Sequence, residues 1–177
     1  ITKSNYCVSV GSGTDALLIC LLSLNLKKND EVLIPSFSWL SVVEVVLLVG
    51  AKPVFLETDN SNFNLDISCI TKNINKKTKA IISTSLFGRT ADLFKINKIC
   101  KKNKIIHIED AAQNFGSKLN NIDSCVIADM TCVSFFPSKN LGCFGDGGAI
   151  FTNSQKKNKI LKMLRNHGTE KYSQGKI

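Results

Sequence analysis

Three short stretches of this 177-residue chain carry residue types whose spacing can support chemistry. In the first, Gly11-Ser12-Gly13-Thr14-Asp15-Ala16 follows an apolar run and opens a helical segment. The spacing fits the G-x-G-x-x-A turn of a dinucleotide site, and an acidic pair, Asp30 and Glu31, lies further on. A dinucleotide fold places its ribose-binding acid at the carboxyl end of the second strand. Here that end reads Pro35-Ser36-Phe37-Ser38-Trp39 without an acid, and Asp30 and Glu31 come before the strand, so the nicotinamide reading fails there. What survives is an anion cradle. Small residues opening a helix leave backbone N–H groups free, and the helix dipole and the Ser12 or Thr14 hydroxyl reinforce them.

The second stretch, IIHIEDAAQNFGS, ends a buried-type strand with Glu109-Asp110. Asp110 therefore falls at the carboxyl end of a parallel strand, where ligands bind in such sheets; taken alone, an Asp there is a metal ligand or, more commonly, a helix cap. The third, SFFPSKNLGCFGDGGAIFT, holds Lys139 in a loop between two apolar strands. Lysine is normally a surface residue, but aromatic residues before it and Gly142, Gly145, Gly147 and Gly148 after it suggest a backbone packed tightly round something. An anion cradle, a strand-ending carboxylate and a lysine together describe a pyridoxal phosphate site. The cradle takes the phosphate, the carboxylate keeps the pyridine nitrogen protonated, and the amine forms the Schiff base. Trp39 is placed to lie against the ring, with a core position as the competing reading.

The elements that must position these residues alternate along the chain. The periodicity predicts helices over about 14–24, 38–49 (largely buried), 66–73, 92–102 and 155–166, interleaved with EVLIP, KPVFLE, KAIIST and KIIHIED as strands. MTCVSFF and GGAIFT are two further strands joined by the Gly-rich connection. The fold class is α/β, with a mainly parallel sheet covered on both faces in a three-layer α/β/α arrangement. One compact domain is expected, and the chain opens on Ile1 and stops on Ile177 as if cut from something longer.

The formal charge of +9 invites a nucleic-acid reading, but Arg occurs only at 89 and 165 and the lysines are scattered in pairs without interleaved aromatics. No nucleic-acid partner is expected. Seven cysteines without a C-x-x-C suit neither a zinc site nor a disulfide framework. Buried free thiols in a cytoplasmic protein are the expectation, with no metal. The longest apolar stretch, Trp39 to Val49, contains Glu44 and is too short to span a bilayer, so no membrane association is expected. His107 reads as structural and His167 has no assigned role.

Beyond these residues, SGTDAL, DEVLIPSFSW, GAKPVF, KTKAII, LFGRTADL, IEDAAQNFGS, SFFPSKNLGCFGDGGAIFTN and LRNHGTEKY together resemble, in order and spacing, the DegT/StrS (DegT/DnrJ/EryC1/StrS) family of sugar aminotransferases. The resemblance covers nearly the whole chain and is most specific around Lys139. It implies a fold-type-I pyridoxal-phosphate-dependent transferase, with residues 1–177 forming part of the large domain and the N-terminal segment and C-terminal small domain absent. The implied reaction moves an amino group from glutamate to a keto nucleotide-sugar, as in polysaccharide biosynthesis, with a 3-keto sugar, including acetamido-hexuronates, preferred. The protein would act as a cytoplasmic homodimer.

By the same resemblance Lys139 is the Schiff-base lysine and proton shuttle, a task that demands an uncharged amine, and Asp110 is the pyridinium partner. Trp39 stacks on the ring, Gly13, Thr14, Asp15 and Ser134 hold the phosphate, and Gln113 lies near the ring hydroxyl. Members that remove a sugar hydroxyl carry His in place of the lysine, so Lys139 weighs against a dehydratase. A regulatory relative that only holds the cofactor is the other alternative. The chain departs from the family at Ser85 and Arg89, where many relatives carry His and Gln.

Overall fold

The apolar runs place side chains on both sides of a sheet, and the helices supply what covers them. In the computed structural model, which describes residues 2–169, the chain order is β1 (Tyr6–Val10), α1 (Gly13–Leu22), β2 (Glu31–Pro35), α2 (Ser41–Leu48), β3 (Lys52–Leu56), α3 (Ile67–Asn73) and β4 (Thr78–Thr84). There follow α4 (Leu93–Asn103), β5 (Ile106–Asp110), a small hairpin of β6 (Lys118–Leu119) and β7 (Ile122–Asp123), β8 (Met130–Ser134), β9 (Gly148–Thr152) and α5 (Gln155–Arg165).

Seven strands form one sheet in the order β1-β9-β8-β5-β4-β2-β3. β9 runs antiparallel to both neighbours, and the other six strands all point the same way. Their carboxyl ends, with the start of β9, therefore meet at one edge. That edge gathers the residues singled out above.

Strand alternation feeds two cores. On β2, Val32 and Ile34 face one side and Leu33 the other; on β4, Ala80 and Ile82 oppose Ile81. The first set packs with Leu17 and Leu21 of α1, Val42, Val45 and Val46 of α2 and Leu161 of α5. The second packs with Ile70 of α3 and Leu93, Ile96 and Cys100 of α4. This is the three-layer α/β/α arrangement with a mainly parallel sheet.

Helix starts follow the polar residues that precede them. Ser12, Asp66, Asp92 and Ser154 each accept a hydrogen bond from a first-turn N–H, so Asp66 and Asp92 are caps rather than first helical residues. After α4 the chain turns through Lys104 in the left-handed region, at φ 57°.

Two expectations are corrected. The second helix is shorter than 38–49 and is buried on one face only: Ser41, Val42, Val45 and Val46 point inward, while Leu40, Leu47 and Leu48 are exposed. An apolar run cannot report which of its faces the fold leaves uncovered. Likewise Cys20, Cys100, Cys125 and Cys132 are buried, but Cys7 lies exposed on the edge strand β1 and Cys143 is exposed in the loop after β8. All seven cysteines are free thiols. Among the described residues no helix is long and apolar enough to cross a membrane. The Glu170-Lys171-Tyr172 end of the last motif lies outside the described residues.

Candidate active site

The first wall of the site is the opening turn of α1. Ser12 sits at the cap with extended backbone, and its Oγ accepts the Asp15 N–H at 3.0 Å while its carbonyl accepts the Ala16 N–H. Ser12, and not Thr14, is thus the cap. The N–H groups of Gly13 and Thr14 precede the first intrahelical donor, the Ala16 N–H, and remain available to an anion. Glycine is required at 13: a Cβ there would lie 2.7 Å from the Ser134 Cβ. Gly148 at the start of β9 is equally constrained, since its Cβ would strike the Ser12 carbonyl. The two glycines let α1 press into the corner between the ends of β8 and β9, which brings Ser134 against the cradle.

The second wall is the end of β5. Asp110 is buried, and its Oδ1 accepts the Ala112 N–H at 3.0 Å. Burial holds its carboxyl above the ordinary Asp range, partly offset by the Ala112 N–H and the Lys139 ammonium. Gln113 accepts the Phe87 N–H through Oε1 at 2.9 Å, which ties the turn after β5 to the loop after β4 and leaves its amide donors available.

Lys139 lies in the turn after β8, its own N–H donating to the Phe136 carbonyl at 2.8 Å. The loop is tight as the glycines suggested: a Cβ at Gly142 would collide with the Pro137 backbone. The Lys139 side chain is half-buried.

These walls enclose a cavity of about 370 Å³, the size of a small-cofactor pocket. Gly13, Thr14, Trp39, Asp110, Gln113, Ser134 and Lys139 all line it. Asp15 is the exception among the residues singled out. It does not line the cavity, and its carboxylate folds back over Gly11, where a Cβ would lie 2.7 Å from Oδ2. Trp39 is not a core residue: 74% of its surface is exposed at the cavity rim.

The geometry adds residues the motifs did not flag, chiefly Thr84, Ser138 and Asp146. Thr84 ends β4 in register with Asp110 on β5. Asp30 and Glu31 sit at the opposite end of β2, where Glu31 holds the Asn75 amide and Lys52, far from this edge in the strand direction.

Behind the cavity, Glu109 and His107 face the other side of β5, both fully buried. Ser85 Oγ donates to Glu109 Oε1 at 2.9 Å and accepts the Ala91 N–H, while Thr131 Oγ1 donates to Oε2 at 3.1 Å. The Ser at 85 thus joins the loop after β4 to β5. Burial pushes Glu109 up to about 7 against the pull of these donors, and pushes His107, whose Nε2 meets Ser83 Oγ at 2.9 Å, down to about 4.

The residues fit pyridoxal phosphate on this structure's own terms. The cradle has free N–H groups and a glycine where a side chain would intrude, and Asp110 is a desolvated carboxylate that gains from a cationic ring nitrogen. In addition, the cavity wall holds a buried hydroxyl, Thr84 Oγ1, that has no hydrogen-bond partner among the described residues.

Residues 1–177 match the model of the DegT/DnrJ/EryC1/StrS aminotransferase family. The chain is 44% identical over 168 residues to the UDP-2-acetamido-2-deoxy-3-oxo-D-glucuronate aminotransferase of Pseudomonas aeruginosa, covering 95% of this chain and 47% of that protein. It is 41% identical over 162 residues to the UDP-N-acetyl-3-dehydro-alpha-D-glucosamine 3-aminotransferase of Acidithiobacillus ferrooxidans, covering 92% and 44%. The chain therefore spans about half the length of these curated relatives. Among solved structures, S. venezuelae DesV in complex with a ketimine intermediate superposes with TM-score 0.92 at 32% identity, over 98% of this chain and 47% of that one. The NtdA protein of Bacillus subtilis with bound cofactor PMP gives 0.89 at 34% identity, over 98% and 39%.

The buried pair on β5 has a measurable consequence. Glu109 binds its proton more tightly folded than unfolded, so it costs stability as pH rises from about 4.5 to about 7. His107, with its folded value depressed, adds stability as pH rises from about 4 to about 6.5. The two slopes oppose each other where they overlap. Glu109→Gln removes the falling one, so between pH 4.5 and 6.5 the variant's stability is expected to climb relative to the parent by up to about 1.4 kcal/mol per pH unit. Denaturant melts across that range check this; parallel profiles would contradict it.

Proposed function

This chain belongs to the DegT/DnrJ/EryC1/StrS aminotransferase family, and from that premise we propose that the protein it forms transfers an amino group from glutamate to a 3-keto nucleotide sugar, with pyridoxal phosphate as cofactor. The observation that carries the reading is convergence: the α1 cradle, Asp110 and Lys139 come from distant parts of the chain and line one cavity. A 3-oxo acetamido sugar is the preferred acceptor, with the hexuronate favoured: of two relatives above 40% identity, the one at 44% is named for a 3-oxo acetamido-glucuronate and the one at 41% for a 3-dehydro N-acetylglucosamine.

When bound, pyridoxal phosphate supplies an electron sink for the carbon that loses a proton. The chain's own residues do the rest. The N–H groups of Gly13 and Thr14, with the Ser134 hydroxyl, hold the phosphate. The Asp110 carboxylate holds the proton on the ring nitrogen, which is why a desolvated acid suits this place. Gln113 presents its amide donors to the ring hydroxyl, its Oε1 being committed to Phe87. The Trp39 indole covers a ring face and excludes water from it. Lys139 would hold the cofactor through Nζ and, as a free amine, would move a proton at the carbon that the cofactor activates.

A second copy of the chain is the proposed partner. Leu40, Leu47 and Leu48, with Glu44, form the outward stripe of α2, spaced four, three and one residues apart, and the three leucines are 58–70% exposed. An apolar stripe of this kind is what a homodimer face would bury.

Incubation of the assembled protein with glutamate and a panel of 3-keto and 4-keto nucleotide sugars, read by mass spectrometry, is expected to give the 3-amino product first; amination of 4-keto sugars alone would contradict the assignment. Lys139→Ala and Asp110→Ala are each expected to lower turnover by at least about 10²-fold, and wild-type rates in either would refute the roles given. Leu47→Glu with Leu48→Glu is expected to shift the sedimenting species from dimer to monomer. A dimer unaffected by the pair would place the interface elsewhere.

A further inference from the structure

Three consecutive hydroxyl residues close β4: Ser83 and Thr84 end the strand and Ser85 follows it. Alternation sends the two serines to one face of the sheet, and both are engaged there: Ser83 Oγ with His107 Nε2 and Ser85 Oγ with Glu109 Oε1. Thr84 points to the opposite face, into the cavity, and is 5% exposed. Its Oγ1 is buried and has no hydrogen-bond partner among the described residues.

A buried hydroxyl without a partner is costly, and valine fills the same volume without that cost. Thr84 is therefore hard to explain by packing alone. Its neighbour in register across the parallel β4–β5 ladder is Asp110, whose side chain projects from the same face one strand spacing away. Asp110 Oδ1 already takes the Ala112 N–H, which leaves Oδ2, among the described residues, as the acceptor without a donor on that wall. Donors to ionised carboxylates make the stronger class of hydrogen bond, so this pairing gains most when a cation facing Asp110 keeps it charged.

We propose that Thr84 is a positioning residue for the cofactor's nitrogen partner: in the cofactor-bound protein its hydroxyl donates to Asp110 Oδ2 and fixes how the carboxylate meets the pyridinium. This rests on the pyridoxal phosphate reading above. It assigns Thr84 no contact with substrate. It also implies that the side chain is held at a cost in the empty protein and repaid on binding.

The test is Thr84→Val in the assembled protein, with Thr84→Ser as the conservative rescue. Cofactor affinity is read by spectral titration of pyridoxal phosphate, and stability by melting the cofactor-free protein. Thr84→Val is expected to raise the cofactor Kd by about tenfold or more, and to raise the melting temperature of the cofactor-free protein by about 2–4 °C. Thr84→Ser is expected to return the Kd close to the parent value. An unchanged Kd in Thr84→Val, or a lower melting temperature without cofactor, overturns the inference while leaving the parent reading intact. A parent protein that takes up no pyridoxal phosphate overturns both.

Discussion

The site depends on how closely α1 approaches the corner between β8 and β9. Gly13 meets Ser134 and Gly148 meets the Ser12 carbonyl at separations that leave no room for a Cβ on either glycine. The helix cannot retreat, because Ala16, Leu17, Cys20 and Leu21 are buried in the core beneath it, each large apolar side chain contributing roughly 1.5–3 kcal/mol. The free N–H groups of the first turn are thereby held beside the strand that leads into the Lys139 loop. β5 is the neighbour of β8, so Asp110 arrives across the same cavity without any special device.

A second constraint is electrostatic. Glu109 and Asp110 are adjacent carboxyls buried at one strand end, and strand alternation sends them to opposite faces. Glu109 is compensated within the chain by Ser85 and Thr131, and the same bonds pin the loop after β4 that in turn holds Gln113 through Phe87. Among the described residues the Asp110 carboxylate receives one hydrogen bond, from the Ala112 N–H. One carboxyl is thus spent on architecture, and the other is the one proposed to meet the cofactor's cationic ring nitrogen.

Much of this was readable in the sequence because an α/β sheet collects its chemistry at one edge. Once the strands were placed, Gly13, Trp39, Asp110, Ser134 and Lys139 each fell at or just past a carboxyl end, and all five line the cavity. Element types were readable from periodicity; the cap role of Asp66 and Asp92, which read as first helical residues, appears only with the helix starts in place. What was not readable depends on neighbours distant in the chain. Asp15 shares the helix start but turns its carboxylate toward Gly11. Cys7 sits in an apolar run that became an edge strand, so its side chain has no covering layer. The outward leucines of α2 follow from the same blindness to what packs where. Thr84 carries no motif at all; its meaning appears only when β4 and β5 are set in register.

The central claim is that the amine of Lys139 carries the cofactor across the cavity from Asp110. Borohydride reduction of the assembled, pyridoxal-phosphate-loaded protein, followed by proteolysis and peptide mass mapping, tests this most directly. The reduced cofactor is expected on the peptide that contains Lys139 and on no other. Label on a different lysine, or a protein that retains none, would contradict the account.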